Sequence, residues 1–190
     1  MWKHIAFWSK TWFFSFFYPS FCLHCEEKIK DQGLLCPFCF EMVELCSLDI
    51  KDKTLAPFTG IASTIEPQGA GLSLLRSREG NEAALIAKAM AAWMVIALER
   101  YGWPKFDYLI PDPNDLLFHR ILAKEMGLFL GVPVVEELFI SFWNKKLFLR
   151  KKVSLEKQTV LIVSAIKPKS LEPFLFLQDI AAKDLFFLSF

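Results

Sequence analysis

The stretch Thr159-Val160-Leu161-Ile162-Val163 decides the fold class of this chain, because it is short, apolar and mostly β-branched. A strand with apolar side chains on both faces is typical of the interior of a parallel sheet. Two further strands are predicted, at Asp107–Ile110, where Pro111 stops the strand, and at Leu185–Phe190 at the end of the sequence. We therefore expect residues 159–163 to lie between other parallel strands.

Helical segments alternate with these strands. Glu82–Arg100 is rich in Ala, Leu, Ile and Met and apolar nearly all round, which predicts a helix buried on more than one face. Asp115–Leu130 is predicted to be a helix that Asp115 caps and Gly131 ends. Leu171–Ile180 is predicted to be the next helix. This alternation indicates an α/β domain with a mostly parallel sheet.

Shorter signals complete the local predictions. Phe58–Ile65 can form a strand, and the glycines that follow, Gly69 and Gly71, predict a turn. Val132–Val135 is a short β-branched run.

The length and composition limit the protein class. A chain of 190 residues can form one ordinary domain and a small appendage. The formal net charge of +1 excludes nucleic-acid binding driven by a strong overall field, so such a role would need a local basic patch. On this basis we expect residues 1–20 to form an aromatic-rich helix, residues 21–50 a small cysteine-containing ribbon, and residues 56–190 the α/β domain, with the boundary at or just after Asp49–Lys53.

The hydrophobic content of 54% raises the question of a membrane span. A spanning helix needs about 20 predominantly apolar residues, and no uncharged run reaches that length. The segment Met1–Phe21 is interrupted by Lys3, His4 and Lys10. It is also unlike a signal peptide, because its aromatic side chains are too bulky for a typical apolar region and no small-residue cleavage site follows. We therefore expect a cytoplasmic protein whose thiols stay reduced.

Two Cys-x-x-Cys pairs, Cys22/Cys25 and Cys36/Cys39, are separated by ten residues. Two thiolates three positions apart on a tight turn can take adjacent corners of a tetrahedron, and a second turn supplies the other two corners. Four thiolates leave no open position on the metal. The spacing therefore predicts one structural zinc ion, held by all four cysteines, in a zinc ribbon; the alternatives are redox pairs or buried thiols.

Two neighbouring residues are not expected to be ligands. Cys46 is interpreted as a small buried apolar residue. His24, between the first two cysteines, is interpreted as an exposed residue of the turn that does not bind the metal.

The order of these features resembles the ComF family, the competence-associated, phosphoribosyltransferase-like proteins of bacteria. The shared features are an aromatic leader ending in Tyr18-Pro19, a four-cysteine ribbon and an α/β domain. Leu74–Gly80 resembles the turn before the family's long helix, Tyr108–Pro113 resembles its strand ending in Pro-x-Pro, and Val160–Val163 resembles its strand before the phosphoribosyl pyrophosphate loop. The resemblance implies a Rossmann-like, phosphoribosyltransferase-type domain behind the ribbon.

This sequence departs from the family where the phosphoribosyl pyrophosphate loop should follow. The family has two Asp after the strand and a Gly-containing Thr-Thr-Gly-Ala-Thr turn, whereas here Ser164 and Ala165 replace the acidic pair and Ser170 stands at the glycine position. The acidic pair would hold the ribose hydroxyls, and the turn would aim backbone N–H groups at the 5′-phosphate. Normal transferase chemistry is therefore not expected.

An altered phosphate site is the alternative for this loop. Lys167, Lys169 and Ser170 stand at a predicted strand–turn–helix junction and could bind an anion, or they could form a solvated surface turn.

One strongly basic stretch carries Lys145, Lys146, Arg150, Lys151 and Lys152, with Phe142, Trp143, Leu147 and Phe148 between them. Cations interleaved with aromatic side chains suit single-stranded DNA, whose backbone and base faces are both contacted. The alternative is a charged edge whose aromatic side chains pack inward.

The aromatic leader and His119 leave further alternatives open. The leader could bind a protein partner or its own domain, or touch a membrane peripherally. An acid–base role is imaginable for His119, but a surface histidine on a helix is the preferred interpretation.

Taken together, the sequence predicts a non-catalytic ComF-like protein that acts in bacterial DNA uptake or processing, through protein or single-strand contacts. The alternative is an active phosphoribosyltransferase with an altered loop, which would also need magnesium.

Overall fold

The computed structural model describes residues 21–29, 33–44, 46, 49–50, 58–79, 83–112, 116–135, 138–140, 147–149, 155–165 and 182–190. The chain divides into two compact units. The first, which we call the cysteine unit, comprises Met1–Glu44 and Glu66–Ser77. The second, the sheet unit, comprises Leu45–Ile65 and Arg78–Phe190. The cysteine unit is therefore discontinuous in sequence.

The described residues form strands and helices in alternation. The strands are β1 (Asp49–Ile50), β2 (Gly60–Ser63), β3 (Tyr108–Pro111), β4 (Leu138–Ile140), β5 (Leu147–Leu149), β6 (Thr159–Ser164) and β7 (Asp184–Ser189). The helices are α1 (Pro37–Glu41), α2 (Gly69–Arg76), α3 (Ala83–Tyr101) and α4 (Leu116–Leu130), with a 3-10 turn at Ser77–Glu79. The predicted α/β class is confirmed.

The sheet has the order β1-β2-β7-β6-β3, and its four longer strands run parallel. Strand β1 pairs antiparallel to β2 at one edge. Strands β4 and β5 form a separate antiparallel pair. The expectation of a mostly parallel sheet is therefore confirmed, and the assignment of this sheet to the phosphoribosyltransferase type stays a prediction.

Strand β6 lies inside the sheet, between β3 and β7, as its sequence predicts. Leu161 is opposite Leu109 on one side and Phe186 on the other. All six residues of β6 are buried, because side chains on both faces of an interior parallel strand pack against other elements. The stretch Thr159–Val163 therefore forms the strand that the sequence predicted.

One core cluster of the sheet unit is built from apolar side chains of β6 and its neighbouring strands. Ile110, Ile162 and Phe187 are fully buried in one cluster, and the ring of Phe58 meets that of Phe187 edge to face at 5.8 Å. Cross-strand neighbours of this kind are the unit from which a sheet gains stability.

Helix α3 confirms the predicted helix but not its predicted environment. Its buried residues, Ile86, Met90, Met94 and their neighbours, follow helical spacing and form one broad face. Leu85 and Ile96 are nearly half exposed, at 49% and 47%. The prediction of burial on more than one face is therefore wrong, because apolar composition alone does not tell which sides of a helix meet other elements.

Helix α4 ends where the sequence predicts. Gly131 has φ +68°, a conformation that glycine adopts without a Cβ penalty. Gly127 lies within the same helix, where an added Cβ would come within 2.8 Å of the Val132 carbonyl oxygen. This close approach lets the chain turn back so that Val134 forms a parallel bridge with Leu109 of β3.

The predicted turn at Gly69 and Gly71 is wrong. These residues open helix α2, although Gly69 keeps the positive φ, +51°, that favours glycine in turns. The helix forms because Ala70, Leu74 and Leu75 bury one face at helical spacing, and this packing outweighs the low helix propensity of glycine. The stretch Leu74–Gly80 resembles the family's turn before the long helix. Its first three residues end α2, and Ser77–Glu79 form the 3-10 turn.

Some predictions lie outside the described residues. These are the aromatic helix at 1–20, the cap at Asp115 and the helix at 171–180. Among the described helices none is both long and apolar enough to cross a membrane.

We predict that Ile162→Ala lowers the free energy of unfolding by about 2–5 kcal/mol, because it leaves a cavity in a fully buried position. Urea denaturation followed by circular dichroism measures this change. Leu128→Ala is the control, since Leu128 is 78% exposed and its truncation should cost no more than about 0.5 kcal/mol. Equal costs for the two variants would contradict the assignment of β6 to the core.

Candidate metal centre and carboxyl edge of the sheet

The first cysteine pair lies on a tight turn fixed by backbone hydrogen bonds. The N–H of Glu26 donates to the Cys22 carbonyl and the N–H of Cys22 donates to the Glu27 carbonyl, each at 2.9 Å. Glu26 has φ +61°, which costs a residue with a side chain about 1–2 kcal/mol. The turn is closed tightly enough to hold this strained residue.

The second pair begins helix α1. Cys36 is the N-terminal cap, Pro37 takes the first helical position, and the Cys39 N–H points at the Cys36 sulfur at 3.4 Å. Proline suits this position because its fixed φ is helical and its missing N–H would have no helical partner. The local sequence therefore places two sulfurs three residues apart on the same side of a turn.

The four sulfurs of Cys22, Cys25, Cys36 and Cys39 converge. They all lie within 4.8 Å of one another, and those of Cys25 and Cys36 are 3.7 Å apart. Four thiolates at about 2.3 Å from a central zinc would be separated by about 3.8 Å, so the spacing suits a tetrahedral ion. All four are free thiols. These cysteines can therefore hold one metal ion, as the sequence predicted.

The surroundings of the sulfurs are mostly dry. Cys22, Cys36 and Cys39 are buried, whereas Cys25 is exposed. Ile29 and Ala70 complete the buried cluster around them, and Ala70 comes from helix α2. The metal position is thus closed on the inside by apolar groups and has one ligand at the surface.

The thiols differ in their tendency to ionise. Burial opposes ionisation of Cys22, but hydrogen bonds from the backbone N–H groups of Cys25, Cys36 and His24 outweigh it and lower the pKa of Cys22 to about 6. Burial, together with the neighbouring sulfurs, raises the pKa of Cys39 well above that of an ordinary thiol. Ionisation of Cys22 is therefore favoured and ionisation of Cys39 is opposed, and a divalent cation among the sulfurs would remove this opposition by stabilising the thiolates.

His24 and Cys46 are not part of the sulfur cluster, as expected. His24 is exposed, and its Nδ1 atom lies 3.0 Å from the hydroxyl oxygen of Ser73 on α2. This contact could not be predicted from the sequence, because the two residues are 49 positions apart. Cys46 is half-buried, and its backbone pairs with Thr64 in the sheet unit.

A second candidate site lies at the carboxyl edge of the parallel sheet. Strand β3 has β6 on one side and the bridge to Val134 on the other, so the chain connections leave β3 and β6 in opposite directions. Ligands of open α/β sheets bind at such a point, beyond the carboxyl ends of the strands. Asp112 and Ser164 are the residues at these two strand ends.

Asp112 and Ser164 are joined to each other. The Ser164 hydroxyl donates to the Asp112 carboxylate at 2.7 Å, and both side chains are buried. Ala165, the next residue, is fully buried as well. Sequence reasoning missed this pair, although an Asp between two prolines at the end of a strand was a usable signal.

The prediction that His119 lies at the surface of its helix is wrong. The side chain is only 2% exposed. Its Nδ1 atom lies 3.0 Å from the Asp112 carbonyl oxygen. Since a carbonyl only accepts, Nδ1 carries the proton. Helix α4 turns this residue inward because its buried neighbours Phe118 and Leu122 share the same side.

The remaining candidate residues lie outside the described part of the chain. These are the loop residues Lys167, Lys169 and Ser170 and the basic residues Lys145, Lys146, Arg150, Lys151 and Lys152.

Comparison with known proteins gives no assignment. No protein-family model matches the chain, and no curated protein or solved structure resembles it closely enough to count as a match.

We predict that Cys36→Ser abolishes stoichiometric metal binding, because three thiolates and a hydroxyl hold a soft cation far less tightly than four thiolates. Plasma mass spectrometry of purified protein should give about one ion per chain for the unsubstituted protein and close to none for the variant. Cys46→Ser is the matched control and should keep its metal. Loss of the ion from both variants, or from neither, would refute the assignment.

Proposed function

We propose that this chain is a non-catalytic relative of the ComF proteins, with a structural zinc ribbon and a phosphoribosyltransferase-type domain. It acts in bacterial DNA uptake or DNA processing through protein or single-strand contacts. The proposal rests on the four-cysteine ribbon, on the parallel sheet and on the state of the sheet's carboxyl edge.

The observation that carries the loss of catalysis is the hydrogen bond between Ser164 and Asp112. The family resemblance implies that ribose-binding carboxylates should stand at positions 164 and 165. Here the first position is a hydroxyl whose single proton is donated inward to Asp112, and the second is a buried methyl group. Neither group can receive two ribose hydroxyls as a carboxylate would.

Zinc is the proposed ion for the four cysteines. Tetrahedral sites made only of thiolates select zinc or iron, and two short Cys-x-x-Cys turns are typical of structural zinc. Because all four positions are filled by protein, the ion has no vacancy for water or substrate. Its role is therefore to hold the cysteine unit together.

The rival function, a live phosphoribosyltransferase that uses magnesium and phosphoribosyl pyrophosphate, has one supporting observation. The chain connections that follow β3 and β6 leave in opposite directions, and open α/β sheets bind ligands at such a point. The buried pair of Asp112 and Ser164 occupies this point, which is why we favour the non-catalytic function.

We predict that phosphoribosyl pyrophosphate with magnesium, at millimolar concentration, leaves the melting temperature of the zinc-loaded protein unchanged. A ligand at 100 times its dissociation constant would add about 2.7 kcal/mol, a shift of several degrees. Differential scanning calorimetry measures the shift, and metal removal by a chelator is the positive control that must lower the transition. A dose-dependent rise with the ligand would overturn the non-catalytic function.

We also predict salt-sensitive binding to a single-stranded oligonucleotide through the basic stretch. Lys151→Gln with Lys152→Gln should reduce the slope of log affinity against log salt by about 1.4, since each phosphate contact to a single strand contributes about 0.7. Fluorescence anisotropy with a thymidine 20-mer measures this slope. Lys88→Gln with Lys105→Gln removes two exposed cations elsewhere and should leave the slope unchanged. Equal reductions for both pairs would assign the binding to net charge alone.

A further inference from the structure

The cysteine unit exposes large apolar side chains around its metal ligands. Phe38 is 69% exposed, Phe21 and Phe40 are 54% exposed, and Met42 is 49% exposed. Exposed apolar groups that cluster on a small folded unit mark interaction sites. Aromatic residues and methionine are also the types enriched where proteins bind proteins.

Helix α1 gives this surface a defined geometry. The Met42 N–H donates to the Phe38 carbonyl at 3.2 Å, so these residues are one helical turn apart and share a side. Glu41 lies on the same side, three positions after Phe38. Cys36 and Cys39 fix both the start and the middle of this helix, so metal binding holds the surface rigid. We call the set of Phe38, Glu41 and Met42 the α1 face.

The α1 face carries the carboxylate of Glu41 and belongs to a segment whose described residues have a negative net charge. The described residues of 21–44 carry four glutamates, all exposed, and one lysine, which gives a formal charge of −4 + 1 = −3; the charged residues are Glu26, Glu27, Lys28, Glu41 and Glu44. Four thiolates around a divalent cation add two more negative charges. The surface is therefore apolar and anionic together.

This combination selects among classes of partner. Phosphates of a single strand and the headgroups of anionic lipids are both repelled by the carboxylates, although each could otherwise use the aromatic rings. A protein segment with apolar anchors and flanking lysine or arginine satisfies both properties of the surface.

We propose that the α1 face docks a basic amphipathic segment of a partner protein. The apolar anchors of that segment bury Phe38 and Met42, and its cations meet Glu41 and the neighbouring carboxylates. The biological setting of this docking rests on the proposed function, for which it names a class of protein partner. The binding itself does not depend on whether the sheet unit is catalytic.

The test uses the zinc-loaded full chain to select binders from a phage library of random 16-residue peptides. The selected peptides should be cationic and should carry aromatic or aliphatic residues three or four positions apart. Their affinity is then measured by anisotropy on variants whose metal content is checked to be one ion per chain. Phe38→Ser with Met42→Ser should weaken binding by about tenfold or more, and Glu41→Lys should weaken it and reduce its salt dependence.

Leu117→Ser with Leu128→Ser is the matched control, because it removes two exposed apolar side chains, 76% and 78% exposed, from the sheet unit. It should leave affinity within about twofold of the unsubstituted chain. No enrichment, enrichment of neutral or acidic peptides, or equal weakening by both pairs would overturn the proposal. So would binding of a thymidine 20-mer or of phosphatidylserine vesicles that Phe38→Ser with Met42→Ser abolishes. The calorimetric result with phosphoribosyl pyrophosphate is independent of all these outcomes.

Discussion

The convergence of four sulfurs is the constraint on which the cysteine unit depends. Among the described residues its buried cluster contains five members, and three of them are cysteines of the candidate metal site. Among the described residues, only Ile29 and Ala70 complete this cluster, and so few apolar side chains around the sulfurs bury little surface to offset the entropy of ordering the turns. We propose that bonds between the four sulfurs and a metal ion take the place of a larger apolar core. Because Ala70 belongs to helix α2, the same bonds also determine whether a segment distant in sequence has a surface to pack on.

The sheet unit depends on a different interaction, the burial of β6 on both faces and along both edges. This strand ends at Ser164, so the element that builds the core also brings the Ser164 hydroxyl to the Asp112 carboxylate. A carboxylate at position 164 would lie beside Asp112, and two buried like charges oppose each other. A hydroxyl at position 164 is therefore physically consistent with the buried Asp112 carboxylate to which it donates.

The sequence predicted those features that local chemistry determines. The β-branched run at 159–163 and the spacing of the four cysteines each have one favoured structural solution. The helix at Gly69–Arg76 was missed because its glycines locally favour a turn. The burial of Ala70, Leu74 and Leu75 stabilises the helix instead. The burial of His119 and the pairing order of the strands were not predictable for a related reason. Both depend on contacts between residues far apart in the chain, and a single sequence does not record them.

We propose that metal binding organises the cysteine unit, while side-chain burial organises the sheet unit. Hydrogen–deuterium exchange with mass spectrometry, on the zinc-loaded chain and after chelation, tests it most directly. We predict that peptides covering 21–44 and 69–76 lose protection when the metal is removed, including the amide of Leu23, which donates to the Leu34 carbonyl at 3.0 Å. Peptides from β6 and β7 should keep their protection. Unchanged exchange at 21–44, or equal loss throughout the chain, would contradict the claim.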